Sequence, residues 1–278
     1  MMNLPLPLPC SYLFVPGNRP ERFDKACAAG AGAVIVDLED AVPMADKAQA
    51  RAALAAWLAR PAALQPVHIR INGADTEWFA RDLTLCALPG VAGIIMSKAE
   101  SVADIDAVLA AGASAVLPLI ESAQGFANAP ALARAQRVQR LLFGSIDFQL
   151  DLGIDGEHEE LLYFRSQLVL MSRLAGIAAP VDGVCTAFDD PQQLLLQTMH
   201  ARRLGFGAKL CIHPRQVAHV NRCFLPSEQE IIWAGRVLAA AESALGAAVA
   251  VDGKMIDRPV ILKAEKIMRE SAARSRPE

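Results

Sequence analysis

The sequence has 278 residues and a formal net charge of −3, from 27 Lys and Arg against 30 Asp and Glu, with no block of like charge. Chains that hold nucleic acid or an acidic membrane by counterion release carry a basic excess, so neither is an expected partner. Hydrophobic residues make up 53% and aromatic ones only 5%, a composition that fills a buried core, and no apolar run reaches the roughly 18 residues of a membrane span.

In chain order, Met1 to Cys10 alternates Pro and Leu with neither a positive stretch nor a small-residue cleavage site, and reads as a loose N-terminal arm (1–10), not a signal peptide. Eight short runs rich in Val, Ile and Leu then follow: Tyr12 to Val15, Ala33 to Leu38, Val67 to Ile71, Gly93 to Met96, Ala115 to Ile120, Arg140 to Gly144, Asp182 to Cys185 and Ala208 to Ile212. Between them, helical spacing predicts helices over Arg22 to Ala29, Asp46 to Leu58, Thr76 to Leu83, Val102 to Leu109, Asn128 to Ala135, Glu159 to Leu174 and Pro191 to Arg203. Length alone suggests about two domains at roughly 150 residues each, but barrels of this size form one. Eight strand-helix repeats predict an α/β fold, a (β/α)8 TIM barrel over residues 11–226, and no G-x-G-x-x-G follows the first strand to suggest a dinucleotide fold.

Residues 227–278 form a C-terminal helical extension. Ser227 to Leu245 reads as a helix with a Ser227/Glu230 capping box, Asp252-Gly253 as a turn, Ile261 to Arg269 as a last helix and Ser271 to Glu278 as a frayed end. The six cysteines, Cys10, Cys27, Cys86, Cys185, Cys211 and Cys223, lack metal-like spacing, and a chain this long needs no disulfide staples. Reduced thiols and a cytoplasmic location follow, with Cys185 and Cys211 as small buried side chains.

Barrel chemistry is built at the C-terminal ends of strands, and most of these runs close on polar residues: Asp37-Leu38-Glu39-Asp40, Arg70-Ile71-Asn72, Ser97-Lys98, Glu121-Ser122 and Ser145-Ile146-Asp147. Strand alternation puts Asp37 with Glu39, and His68 with Arg70 and Asn72, on one face each. Asp40 and Ser122 have a plainer reading as caps of the following helices. Glu121 and Asp147 close neighbouring strands with no local partner; two such acids need a cation, and few hard oxygen ligands suit Mg²⁺. Arg70 offers a planar fork to a carboxylate or enolate oxygen, against the plainer reading of an ion pair with Asp37 or Glu39. Lys98 reads as the partner of a rim acid ahead of a Schiff-base lysine. His213 reads equally as a core histidine or a site residue. The turn after the first strand, Gly17-Asn18-Arg19, joins backbone amides and cations that can hold phosphate.

Taken together and in order, LFVPGNRPERFDKA, DLEDAV, HIRING, SKAES, LPLIES, FGSIDF, DGV and IHPRQV resemble the citrate lyase beta-subunit-like branch of the HpcH/HpaI aldolase superfamily, over nearly the whole chain. The resemblance implies a TIM barrel, a homotrimer or hexamer, and a Mg²⁺-dependent carbon-carbon lyase acting on an acyl-CoA thioester. Residue by residue it implies Glu121 and Asp147 as metal ligands, Glu121 and Arg70 at the substrate, and Asn18, Arg19 and Lys25 near CoA; Asp37, Glu39, Asp40 and Lys98 stand beside them as supporting rim residues from their strand-end positions. Asp257 of Lys254-Met255-Ile256-Asp257 becomes the acid/base presented to a neighbouring subunit's site; without the resemblance it is a turn residue. Ser97 stands where relatives carry Pro.

The expected reaction cleaves a carboxylated 3-hydroxyacyl-CoA, of citramalyl-CoA or malyl-CoA type, into acetyl-CoA and a 2-oxo acid. Three alternatives stand beside it: a citrate lyase beta subunit acting on citryl-acyl-carrier protein, a CoA-independent pyruvate aldolase, and a non-catalytic barrel. The joint presence of Arg70, Glu121, Asp147 and Asp257 argues against the last.

Overall fold

Eight short parallel strands close on themselves: β1 (Ser11–Pro16), β2 (Ala33–Asp37), β3 (Val67–Ile71), β4 (Val91–Met96), β5 (Val116–Ile120), β6 (Leu142–Phe143), β7 (Val181–Asp182) and β8 (Ala208–Cys211). The last strand pairs with the first in the register Ser11↔Lys209, Tyr12↔Leu210 and Leu13↔Cys211, which completes the barrel. This computed structural model describes residues 8–60, 65–243 and 249–274.

Helices follow the strands: α1 (Phe23–Cys27), α2 (Lys47–Leu58), α3 (Phe79–Asp82), α4 (Val102–Ala110), α5 (Ala123–Arg134), α6 (Ser145–Leu152), α7 (Leu162–Ala175), α8 (Pro191–Leu204) and α9 (Pro214–Phe224). Strand alternation fills the interior with Tyr12, Ile35, Ile95, Leu117, Leu119, Leu142, Val181 and Leu210, all buried. Arg140 packs among them at the N-terminal end. It donates to the carbonyls of Ala179 (2.8 and 2.6 Å) and Pro9 (2.8 Å), with its guanidinium 5.6 Å from the Tyr12 ring. The open end is therefore the C-terminal one.

The contacts divide the chain into two units, Leu8–Asn221 and the residues from 222 onward. The second has its own small core of Ala234, Val237, Ile256, Ala264 and Ile267, built by α10 (Glu228–Ser243), the hairpin β9 (Val249–Val251) and β10 (Lys254–Ile256), and α11 (Arg258–Arg274). The Ser227 box forms as expected: Glu230 N–H donates to Ser227 Oγ at 3.2 Å, and Ser227 N–H to Glu230 Oε2 at 2.7 Å. The Asp252-Gly253 turn joins β9 to β10 with both residues at positive φ, 53° and 73°.

Several sequence boundaries are corrected. The seventh strand ends at Asp182, not Cys185: a Cβ on Gly183 would collide with Ser145 Oγ, and the chain leaves the ladder where another segment crowds it. Ser145 to Asp147 form the first turn of α6 and do not end a strand. The α5 helix begins five residues earlier than expected, where Ser122 Oγ accepts from Gly125 N–H at 3.0 Å, so the capping reading of Ser122 holds. Helix α9 had no counterpart in the sequence reading. The last helix continues through Ser271 to Arg274; residues 1–7, Leu245 and 275–278 lie outside the described residues. No described helix is long and apolar enough to cross a membrane.

Candidate active site

The C-terminal end of the barrel holds a cavity of about 400 Å³. Asp37, Asp40, Arg70, Glu121 and Asp147 line it, from the ends of β2, β3 and β5 and from the first turn of α6. At its centre Arg70 lies over the Phe14 ring at 4.8 Å. Its Nε and Nη2 donate to the two Asp37 oxygens at 2.7 and 2.5 Å, and Nη1 lies 3.0 Å from Glu39 Oε2 and 3.4 Å from Asp40 Oδ2. The ion-pair reading of Arg70 is thus realised in the same residue that lines the cavity. Asp40 takes part in this pairing and caps no helix.

Asp37 also accepts the N–H groups of Glu39 (2.8 Å) and Ala41 (3.1 Å), so one carboxylate folds the loop after β2 and orients the guanidinium. Asn72 lies past the end of β3 and donates instead to Leu38 O (3.0 Å) and Asp82 Oδ2 (2.6 Å).

Glu121 follows β5 and is 4% exposed, which leaves a carboxylate little contact with water. Lys98 N–H donates to its Oε1 at 2.6 Å, from a residue held at φ 47°, a left-handed conformation unusual for a side chain other than glycine. On the neighbouring strand end, after β6, a Cβ on Gly144 would lie 2.6 Å from Glu121 Oε2 and 2.7 Å from its Cβ, so the Glu121 side chain rests against bare backbone. Burial, then the charge of Glu39, pushes the Glu121 carboxyl up to about 8, against the opposing pull of Arg70 and the Lys98 amide. Burial also raises Glu39 and Asp147 above the usual carboxylate range. Burial works to lower the Lys98 ammonium, but Glu39, Glu121, Asp40 and Asp147 together raise it. Its Nζ is 3.6 Å from Glu39 Oε1, the rim pairing expected of it.

Five carboxylates, Asp37, Glu39, Asp40, Glu121 and Asp147, therefore gather around two cations, Arg70 and Lys98. With Asp37, Glu39 and Glu121 of these buried, the excess of negative charge favours protonation or a bound cation. Among the described residues no group of three or more His, Cys, Asp or Glu is placed to hold a metal. Two carboxylate donors with open positions suit a hard cation that keeps waters or substrate oxygens, and do not suit a closed protein cage.

The family description "HpcH/HpaI aldolase/citrate lyase" matches residues 10–214. The chain belongs to this family. Similar proteins include the citrate lyase subunit beta-like protein of Deinococcus radiodurans, 35% identical and aligned over 98% of this chain and all of that one. The (3S)-malyl-CoA thioesterase of Cereibacter sphaeroides is 35% identical, over 95% of this chain and 94% of its own. Among solved structures, CitE of Mycobacterium tuberculosis in complex with magnesium, acetoacetate and coenzyme A superposes with a TM-score of 0.83 at 34% identity, covering 95% of this chain and 98% of that one.

Within this HpcH/HpaI chain Asn18, Arg19, Lys25 and His213 of the barrel unit are not among the residues that line the cavity. Asn18 donates to Asp46 Oδ2 (2.9 Å), Arg19 pairs with Glu21 (2.7 Å), and Lys25 is exposed on α1; none lines the cavity. The Gly17 and Arg19 amides of that turn donate to Asp37 O (2.8 Å) and Pro16 O (3.0 Å). His213 is half-buried, stacks on Phe188 at 5.4 Å and accepts the Arg215 N–H on Nδ1. Asp257, exposed in the second unit, caps α11 by accepting from Val260 N–H at 3.2 Å.

Sequence reading missed Lys47. It is buried, its Nζ donates to the carbonyls of Leu38 and Glu39, both at 2.9 Å, and it lies 5.1 Å from the Trp78 ring. It thereby grips the loop that carries the acids around Arg70. A signal was present: Lys47 falls in register with Ala50, Leu54 and Leu58 on the buried stripe of α2.

Proposed function

We propose that the protein is a Mg²⁺-dependent carbon-carbon lyase that cleaves a carboxylated 3-hydroxyacyl-CoA, of citramalyl-CoA or malyl-CoA type, into acetyl-CoA and a 2-oxo acid. The observation that carries this reading is the buried Glu121 and the half-buried Asp147 on one cavity with an Arg70 already oriented by Asp37. In the reading, Glu121 and Asp147 hold the ion, and both are carboxylates whose charge is otherwise penalised by burial. When bound, Mg²⁺ supplies Lewis acidity toward the substrate's hydroxyl or oxo oxygen. The magnesium and coenzyme A of the Mycobacterium structure support both choices.

Arg70 binds the negative charge that develops at the reacting oxygens, and Asp37 keeps its fork from turning. The hydroxyl passes its proton to water, its carbon becomes a carbonyl, and the electron pair of the broken carbon-carbon bond passes to the thioester as an enolate. Asp257 returns a proton to that enolate from a neighbouring copy, in keeping with its exposed carboxylate. The assembly is a homotrimer or hexamer in the cytoplasm. Asn18, Arg19 and Lys25 approach the CoA moiety, and buried cysteines such as Cys185 and Cys211 fit a reducing compartment.

The test is product analysis with the purified chain on a panel of hydroxyacyl-CoA thioesters, with Mg²⁺ and with EDTA. Acetyl-CoA and a 2-oxo acid in equal amounts, only with Mg²⁺, are the expected products. Free CoA without a 2-oxo acid would replace the lyase with thioester hydrolysis, the activity in the name of the Cereibacter relative. Turnover only on an acyl-carrier protein would make it a citrate lyase subunit.

A further inference from the structure

Helix α2 carries two cations one turn apart, and each holds the end of a different strand of the candidate site. Lys47 Nζ donates to the carbonyls of Leu38 and Glu39, both at 2.9 Å, in the loop that follows β2. Arg51 Nη1 donates to Asp82 Oδ1 at 3.0 Å, and Asp82 Oδ2 accepts both the N–H (3.0 Å) and the Nδ2 (2.6 Å) of Asn72, the residue that follows β3. The two arms meet at Leu38 O, which accepts from Lys47 and, at 3.0 Å, from Asn72. The strands so held, β2 and β3, are those that carry Asp37 and Arg70.

Hydrogen-bond satisfaction alone does not explain Lys47. Without it, Leu38 O keeps the Asn72 amide and Glu39 O keeps the Val42 N–H at 3.0 Å. The N–H groups of the loop are engaged as well: Leu38 with Arg70 O (2.9 Å), Glu39 and Ala41 with Asp37, and Asp40 with Glu39 Oε2 (3.2 Å). Lys47 is 5% exposed and donates only to carbonyls among the described residues, so an ammonium is buried with no carboxylate bonded to it. Burial holds its pKa below the usual lysine value, against the pull of Glu39, Asp37, Asp82 and Asp40. A neutral side chain would fill the same place at less cost.

What the ammonium adds is one atom that binds two successive carbonyls. Each carbonyl belongs to a rigid peptide plane, and the two planes flank Glu39, so fixing both fixes the direction in which the Glu39 side chain leaves the backbone. That side chain reaches Arg70 Nη1 at 3.0 Å, and Asp40 reaches the same nitrogen at 3.4 Å; Asp37 holds the other two nitrogens. We propose that Lys47 is a positioning residue for the lyase site, which aims Glu39 and Asp40 at Arg70 Nη1 by pinning the peptide planes on both sides of Glu39. The proposal deepens the lyase reading and rests on it for the reaction measured. Glu121 lies outside this frame, since it takes its hydrogen bond from the Lys98 N–H.

Lys47→Met and Lys47→Arg in the full chain test the role. Lys47→Met should lower kcat/KM by on the order of 100-fold, the effect of a misplacement of about 1 Å, while Mg²⁺ affinity, measured by calorimetry, hardly moves. Lys47→Arg, which keeps a cation with several donors, should recover most of the loss. Crystal structures give a readout without turnover: Glu39 should leave Arg70 Nη1 in Lys47→Met and return to it in Lys47→Arg. Lys47→Gln, whose shorter head cannot reach both carbonyls, carries the test if Lys47→Met does not fold. A folded neutral variant with parent activity or with Glu39 still on Arg70, an equal loss of Mg²⁺ affinity, or no recovery in Lys47→Arg overturns the proposal. The lyase reading fails separately: a parent chain inert on every thioester removes the reaction, and the place of Glu39 in the variant crystals still decides what Lys47 does.

Discussion

Asp37 holds Arg70 through two parallel hydrogen bonds, Nε to Oδ1 at 2.7 Å and Nη2 to Oδ2 at 2.5 Å, between the last residue of β2 and its neighbour on β3. The strand register itself pairs these two positions, so the barrel delivers the fork and its clamp together. Asp37→Asn removes one acceptor and should lower kcat/KM by roughly 10- to 100-fold, the range of a hydrogen bond to a charged group. Mg²⁺ affinity, measured by calorimetry, should hardly move; an equal loss in both would make Asp37 part of the metal site.

Glu121→Gln removes the buried charge but not the shape. In thermal melts above pH 8 without metal, the variant should be the more stable protein, because the parent carboxylate is then ionised in a buried place. Added Mg²⁺ should raise the parent's midpoint and leave the variant's unchanged. A variant that still responds to Mg²⁺ would take Glu121 out of the ligand set.

Lys98 sits at φ 47° with its side chain half exposed, and what it gives Glu121 is its backbone N–H. Lys98→Gly should therefore be neutral to stabilising by up to about 1 kcal/mol, because glycine accepts the left-handed conformation and the ion pair lost is a solvated one. Borohydride with pyruvate should leave the mass of the parent chain unchanged. A covalent adduct at Lys98 would revive the Schiff-base reading.

His68 lies inside the barrel, edge-on to Tyr12, and its Nδ1 has no hydrogen-bond partner. Burial, and then Arg140, lowers its pKa from 6.5 to about 4. The unfolded chain thus binds the extra proton first, so this contribution is complete above about pH 6.5 and is lost as pH falls toward 4, on the order of 3 kcal/mol in all. Denaturant titrations of His68→Gln should show a flatter stability profile across that window. An unaltered slope would assign the acid sensitivity elsewhere.

Mixed oligomers test whether Asp257 serves the site of a neighbouring copy. Asp257→Asn and Arg70→Ala chains, each inactive alone, should regain part of the parent activity when assembled together, since some sites then receive both intact residues. Verified mixed oligomers without recovery would confine Asp257 to its capping bond with Val260.

The barrel and half of the candidate site could be read from the sequence because both obey strand alternation. Asp37, Arg70 and Glu121 close apolar runs, and the sheet sets such positions at one rim. Asp147 was found for the wrong reason: it projects from the first turn of α6, whose N-cap Gly144 makes no side-chain cap bond, so nothing in the sequence marked a helix start. Helix α9 opened on Pro214, a sound first-turn signal, but without a Ser, Thr, Asp or Asn before it. Lys47 escaped because its partners are backbone carbonyls, which no pattern of side chains marks.

The contact between Glu121 and the bare backbone of Gly144 gives the site a mechanical off-switch that leaves every titratable group in place. A single methyl added at position 144 changes neither the net charge nor the inventory of acids and bases, yet it occupies the space of the Glu121 carboxylate. Gly144→Ala would thus separate the placement of that oxygen from its charge, a distinction that no substitution of Glu121 itself can draw.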